Sequence, residues 1–244
     1  MEKILIANWK MNPESLSIAL DLIKKYRIEK KIDIWVAPPF VYLIPLINKF
    51  KKFTFGAQNI YFQNEGPYTG EISPKMIKNI GCKFVIVNHS ERRKMGEGLK
   101  IANQKIISAL NNKIKVIVCL GEEKKISHIK NLKKEWQKQI KILFSGINFN
   151  DKNIILAYEP TWAISTYNKG SVSKEIVKEF IDFAKKFGFR DNKIIYGGSV
   201  FKENIENYLD LSLDGFLIGS QSLKPENFNK ICQIISSKIN LKDI

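Results

Sequence analysis

Five short segments of this 244-residue chain carry side chains capable of chemistry, and each follows a short apolar run. They read Asn8-Trp9-Lys10, Asn88-His89-Ser90-Glu91-Arg92, Tyr158-Glu159-Pro160-Thr161-Trp162, Gly197-Gly198-Ser199 and Gly219-Ser220. Together they offer a carboxylate, an imidazole, a lysine and an amide. That set suits proton abstraction next to a carbonyl, with the carboxylate as base and the other three holding the developing oxyanion. Glycine- and serine-rich turns after a strand expose backbone N–H groups, which favours a phosphate. No serine–histidine–acid order and no metal-spaced ligand set competes with this reading.

Each element also has a plainer explanation. A lone strand-end glutamate is more often ion-paired than catalytic. One of only two histidines can be a satisfied core group, and His128 lies on a lysine-rich, solvated stretch. Lys10 can be one more surface lysine, and a glycine pair after a strand is usually only a turn. The co-occurrence carries weight only if one architecture brings all five segments to one rim.

The periodicity supplies such an architecture. Nearly continuous apolar runs at Ile4–Asn8, Ile32–Ala37, Phe53–Ala57, Phe84–Asn88, Ile114–Cys119, Ile154–Tyr158, Lys193–Tyr196 and Gly215–Ile218 fit parallel strands buried on both faces. Between them lie helix-period stretches. Ser15–Tyr26 places Leu16, Ala19, Leu20 and Ile23 on one face, and Ser173–Phe187 does the same with Ile176, Val177, Phe180, Ile181 and Ala184. Further helices are expected at Pro45–Phe50, Pro74–Ile80, Lys100–Asn111, Ile126–Phe144, Lys202–Leu209 and Pro225–Asn240, several opening on Ser or Pro. Eight strand–helix units in one α/β domain, residues 1–244, close as a (βα)8 barrel or stay open as a doubly wound sheet. No GxGxxG follows the first strand, so the barrel is favoured. In such a barrel the residues at the C-terminal strand ends meet in one mouth. Composition and spacing alone stop at a barrel enzyme acting on a small phosphorylated carbonyl compound.

Composition bounds the setting. Of 40 basic residues only Arg27, Arg92, Arg93 and Arg190 are arginines, and the lysines are spread along the chain, so the net charge of +16 reads as solvated helix faces. Nucleic-acid readers cluster their basic residues and rely on arginine, and no specific nucleic-acid partner is expected. Cys82, Cys119 and Cys232 are scattered without a CxxC pair, which suits a reducing compartment. No apolar run approaches a membrane span and the N-terminus passes straight into a strand, so a cytoplasmic protein is expected.

Longer strings carry a family resemblance. Ala7-Asn8-Trp9-Lys10-Met11-Asn12, Gly56-Ala57-Gln58-Asn59, Tyr68-Thr69-Gly70-Glu71, His89-Ser90-Glu91-Arg92-Arg93, Cys119-Leu120-Gly121-Glu122, Ala157-Tyr158-Glu159-Pro160-Thr161-Trp162-Ala163-Ile164 and Tyr196-Gly197-Gly198-Ser199-Val200 occur in this order. The sequence thereby closely resembles the triosephosphate isomerase family, in patches from residue 6 to about residue 228. The resemblance implies a TIM barrel, a homodimer without metal or organic cofactor, and interconversion of dihydroxyacetone phosphate and glyceraldehyde 3-phosphate through an enediolate. It gives Glu159 the part of the base and His89 that of the electrophile. The latter acts as a neutral imidazole at a helix N-terminus, an arrangement this family is often used to illustrate. Asn8 and Lys10 become oxyanion and phosphate-side contacts, with Glu91 orienting Lys10 and Ser90 opening the helix behind the histidine. Phosphate is expected on the backbone N–H groups of Ser165, Ser199, Gly219 and Ser220.

The resemblance also implies a lid running to Gly170 that includes Pro160, Thr161, Trp162, Ala163, Ile164, Thr166 and Tyr167, with Tyr196 and Ser199 as its latch. Thr69 resembles the residue that reaches into a partner's active site. The chain departs from the family pattern at the lid tip, where Ile164-Ser165-Thr166-Tyr167 stands in place of Ile-Gly-Thr-Gly, and lid closure is expected to be weakened or rebalanced. Asn88 and Ser220 also replace glycines. A barrel that has lost turnover and persists as a binding or scaffold protein is the alternative; a barrel isomerising another phosphosugar and a nucleic-acid binder rank below it.

Overall fold

The computed structural model describes residues 2–163 and 171–241. The strands are β1 (Lys3–Asn8), β2 (Ile32–Ala37), β3 (Thr54–Ala57), β4 (Phe84–Val87), β5 (Lys115–Leu120), β6 (Ile154–Tyr158), β7 (Lys193–Tyr196) and β8 (Gly215–Ile218). They form one closed barrel in sequence order, every pair parallel, with β8 returning to β1 through Ile4↔Gly215 to Ala7↔Ile218. The helices packed outside are α1 (Leu16–Lys24), α2 (Phe40–Lys49), α3 (Pro74–Asn79), α4 (Ser90–Lys94), α5 (Leu99–Asn111), α6 (Ile129–Leu143), α7 (Lys174–Phe187) and α8 (Pro225–Leu241).

Strand alternation sorts the core into two parts. Ile4, Ile6, Trp35, Ala37, Phe84, Ile86, Ile117, Cys119, Ile155, Ala157, Ile195 and Leu217 fill the barrel, with the Trp35 and Phe84 rings stacked at 4.9 Å. The opposite faces of the strands, with Leu5, Val36, Val85, Val116, Leu156 and Ile194 among them, pack against the helices. The inward parity also predicts the mouth. Counting two residues on from Ile6, Ala157, Ile195 and Leu217 reaches Asn8, Glu159, Gly197 and Gly219.

Two helix expectations need correction. The second helix begins at Phe40, five residues before Pro45, which sits inside it. A proline there removes the bond to the carbonyl four residues earlier. That residue is Val41, which is 76% exposed, so water can take the place of the missing donor. After β7 there is no α-helix over Lys202–Leu209, only a 3-10 turn at Ile205–Tyr208. Asn204 accounts for it: its side chain accepts from the Phe201 N–H at 2.8 Å and donates to the Ser199 carbonyl at 2.8 Å. Such local side-chain bonds compete with helical ones.

Candidate active site

The C-terminal mouth of the barrel holds a cleft of about 370 Å³, a count that includes its opening to solvent. Asn8, Lys10, His89, Glu159, Gly197, Gly198, Val200, Leu217, Gly219, Ser220 and Gln221 line it. Asn8, Glu159, Gly197 and Gly219 arrive there by strand parity alone. His89 does not: after the inward Ile86, the inward position is Asn88. Asn88 takes a left-handed φ of 61°, which breaks the alternation and turns His89 toward the axis. Asparagine tolerates this conformation better than most residues. Its side-chain amide also donates to the Cys119 carbonyl at 2.7 Å, tying the turn to β5.

Lys10 is placed by the same device. It has φ 55°. The Asn8 Oδ1 accepts its N–H at 3.1 Å, and the Gln58 amide donates to both its carbonyl and that of Ala37, each at 2.8 Å. A strained conformation of this kind persists where the surroundings over-determine it. The ammonium then lies 2.6 Å from Glu91 Oε1, with Gly219 against its Cε.

His89 caps α4, its Nδ1 accepting the Glu91 N–H at 3.2 Å. An acceptor nitrogen carries no proton, so the hydrogen-bond network assigns the proton to Nε2, which donates to Glu159 Oε1 at 2.8 Å. In this arrangement the Nε2–H faces the carboxylate. Glu159 is 2% exposed, and its other oxygen accepts the Ser90 N–H at 2.9 Å, at the positive end of α4. Burial pushes this carboxyl up. The opposing pull of His89, the Ser90 amide and Arg93 prevails, so its pKa lies below the ordinary 4.5.

The segment after β6 rests on Glu122. This buried carboxylate accepts from Trp162 Nε1 at 2.8 Å, Trp136 Nε1 at 3.2 Å and the Tyr158 hydroxyl at 3.3 Å, while its backbone carbonyl accepts the Thr161 N–H at 2.9 Å. Glu122 stands in the Cys119-Leu120-Gly121-Glu122 string, but nothing in its spacing marks this role. Replacing it by Leu strands three donors, and a buried donor left unpaired costs about 1–3 kcal/mol. Urea denaturation of Glu122→Leu is expected to show a loss of about 3 kcal/mol or more; a loss under about 1 kcal/mol would remove Glu122 as the anchor.

Ser199 lies under the rim, its hydroxyl donating to the Ala163 carbonyl at 2.5 Å. The Tyr196 hydroxyl is buried without a hydrogen-bond partner among the described residues, and Gly198 makes room for it, since a Cβ there would lie 2.2 Å from that oxygen. Gly219 and Ser220 open a short 3-10 turn, Ser220–Leu223, at the cleft wall. Pro160, Thr161, Trp162 and Ala163 form the start of the expected lid; Ile164, Ser165, Thr166 and Tyr167 lie outside the described residues. Ser90 and Glu91 stand behind the cleft, one holding Glu159 and the other Lys10. Thr69 is not among the residues lining this chain's own cleft and is exposed in the loop between β3 and α3. Gln58, Gln221 and Glu122 were missed as site residues. The Gly56-Ala57-Gln58-Asn59 string contained the first, and nothing in spacing marked the second. Among the described residues no group of three or more His, Cys, Asp or Glu is arranged to hold a metal.

Fold and site together define a class: a closed (βα)8-barrel protein that gathers a buried carboxylate, an imidazole, a lysine and an amide at the C-terminal ends of its strands. Comparison with known proteins narrows this. The family model for triosephosphate isomerase matches residues 3–235. The chain is 38% identical to the triosephosphate isomerase of Dehalococcoides mccartyi (strain CBDB1), with 96% of each chain covered. It is 37% identical to that of Coprinopsis cinerea, over 90% of this chain and 92% of the relative. It is 38% identical to that of Buchnera aphidicola subsp. Cinara cedri, over 96% and 98% respectively. The chain belongs to the triosephosphate isomerase family.

Proposed function

We propose that this chain interconverts dihydroxyacetone phosphate and D-glyceraldehyde 3-phosphate, with Glu159 moving a proton between the two carbons that do not bear the phosphate. The observation that carries this reading is the buried Glu159 carboxylate, held 2.8 Å from the His89 Nε2 at the floor of the cleft. Its lowered pKa keeps it ionised, as a base must be. Glu159 takes the proton from the carbon beside the carbonyl, and the electron pair moves onto the carbonyl oxygen. The His89 Nε2–H, the Asn8 amide and the Lys10 ammonium stabilise that oxyanion. His89 passes a proton between the two enediolate oxygens, and Glu159 returns its proton to the neighbouring carbon. The reaction is redox-neutral, and the proposal includes no metal and no organic cofactor.

The substrate phosphate sits, in this reading, at the turns after β7 and β8, on backbone N–H groups of Ser199, Gly219 and Ser220, with Ser165 of the lid completing the set. The lid encloses the enediolate and excludes water. Ser199, bonded to Ala163, and Tyr196 act as its latch. Turnover of glyceraldehyde 3-phosphate, coupled to NADH oxidation through glycerol-phosphate dehydrogenase, tests the function. No turnover by folded protein would sink it.

The whole chain is proposed to work as one domain within a homodimer. The loop after β3 packs the Tyr61 ring at a tilt against Phe62 and Tyr68, with centroids 4.3 and 4.6 Å away, and presents an exposed Thr69. Met11, beside Lys10, is 94% exposed, an apolar side chain that a partner's loop would cover. Thr69→Arg is therefore expected to shift sedimentation from dimer to monomer and to lower turnover with it. A variant that sediments and turns over like the wild type would remove Thr69 from the interface. A cytoplasmic location is proposed from the three cysteines, all free and buried. No helix among the described residues is long and apolar enough to cross a membrane.

A further inference from the structure

Glu159 is carried by a backbone contact with the end of β5. Its N–H donates to the Leu120 carbonyl at 2.6 Å, and two residues on the Thr161 N–H donates to the Glu122 carbonyl at 2.9 Å. Between these two bonds Gly121 faces Pro160, which has no N–H to offer. Gly121 has φ 158°, and a Cβ there would lie 2.3 Å from the Glu159 carbonyl oxygen and 2.5 Å from the Pro160 nitrogen. The Gly121 peptide is thus pressed against the peptide that bears the base. Where its own hydrogen bonds go decides where that base stands.

They go to Gln139. This side chain comes from α6, on the outer layer, and is 3% exposed. Its Oε1 accepts the Gly121 N–H at 3.1 Å and its Nε2 donates to the Gly121 carbonyl at 3.1 Å, so one carboxamide closes a two-bond ring on one residue. The second Nε2 hydrogen goes to Glu135 Oε1 at 2.9 Å. Because a carboxylate only accepts, Glu135 fixes which end of the amide is nitrogen. Arg93 joins from the inner side, donating to the same Gly121 carbonyl at 2.7 Å and to the Thr161 hydroxyl at 3.1 Å.

We propose that Gln139 is a positioning residue for the reaction: it clamps the Gly121 peptide and thereby sets the placement of the Glu159 carboxylate and of the start of the lid. Its side-chain hydrogen bonds among the described residues go to Gly121 and Glu135, neither of which lines the cleft. The inference rests on the proposed role of Glu159 as base. A misplacement of about 1 Å at a reacting group costs about 10²-fold in rate. Most of the proposed substrate contacts, Lys10 and the turns after β7 and β8, share no hydrogen bond with Gln139, Gly121 or Glu135. Loss of the clamp should therefore lower kcat and leave KM little changed.

Two variants test it. Gln139→Leu removes both bonds and is expected to lower kcat by about 10²-fold with KM little changed. Gln139→Glu keeps an acceptor for the Gly121 N–H but loses the donor to its carbonyl. Beside Glu135, and buried, the introduced carboxyl has its pKa raised, so acid returns the missing donor. The ratio of its kcat to that of wild type is expected to rise at least about tenfold between about pH 8 and about pH 6. Taking the ratio at each pH cancels titration of the substrate phosphate. A flat ratio overturns the clamp whether or not the Leu variant folds, as does a folded Leu variant with wild-type kcat. Glu159→Gln, assayed alongside, separates the two inferences. If it retains turnover the base assignment fails, whereas if it collapses while both Gln139 variants match wild type only the clamp fails.

Discussion

Glu159→Gln is expected to lower kcat by about 10⁴-fold, the upper range for loss of a positioned general base. Two effects combine. The carboxamide has no basic lone pair for a carbon-bound proton, so abstraction stops. It also presents an NH2 group where Oε1 now accepts from His89 at 2.8 Å, placing donor against donor and turning the imidazole off its aim. Rotating the amide does not help, because the other oxygen position faces the Ser90 N–H at 2.9 Å. Glu159→Asp keeps the base but withdraws it by one methylene, about 1.5 Å, and a loss of about 10²- to 10³-fold is expected. Acid titration gives an independent check. The native pKa lies below the ordinary 4.5, so the ionised carboxylate stabilises the fold above that value, and the contribution is lost as pH falls through the native pKa. The Gln variant should therefore lose stability less steeply in acid than wild type. A Gln variant keeping more than about a tenth of wild-type kcat would show that another group takes the proton.

Much of this site is legible in the sequence because a strand has period two. Once Ile155 and Ala157 are read as inward, Glu159 must be inward, and the same count reaches Asn8, Gly197 and Gly219. Such reasoning fails where the backbone leaves the strand region. His89 has the wrong parity and reaches the cleft only through the left-handed Asn88, and Lys10 needs the same conformation to face Glu91. Strand ends alone bring both segments to the rim, but asparagine merely tolerates a positive φ and lysine gives no sign of one, so the directions of His89 and Lys10 cannot be read from the pattern. The α2 boundary was misread because proline at a helix start is the commoner case, and only tertiary exposure of Val41 makes an interior Pro45 tolerable. The missing helix after β7 turns on one side chain, Asn204, whose bonds to Phe201 and Ser199 have no signature in hydrophobic spacing. Gln139 is the extreme case. On an amphipathic helix a buried glutamine reads as an edge residue of the apolar stripe, and its purpose exists only once Gly121 is brought against it.

Lys10→Met is expected to lower kcat/KM by about 10³-fold, and most of the reason lies in what it uncovers. The ammonium, 2.6 Å from Glu91, is largely enclosed, with 18% of its side chain exposed. At an effective dielectric near 20, a unit charge about 4 Å from a substrate anion contributes about 4 kcal/mol, or about 10³-fold. Methionine removes that attraction and leaves Glu91 as an unneutralised carboxylate, 3.8 Å from His89 Nδ1, beside the cleft a phosphate dianion must enter. The local field changes sign rather than merely weakening. Removing the second charge as well should then restore part of the loss. Lys10→Met with Glu91→Gln is expected to recover about tenfold in kcat/KM over Lys10→Met alone. Glu91→Gln by itself should cost far less than either, since the ammonium remains. Both gains and losses should shrink only slightly with added salt, because the pair is shielded from bulk ions. A double variant no better than Lys10→Met would mean that Glu91 only shapes the lysine and exerts no field on the substrate. A single variant within about tenfold of wild type would mean that the phosphate is held by backbone N–H groups without a lysine charge.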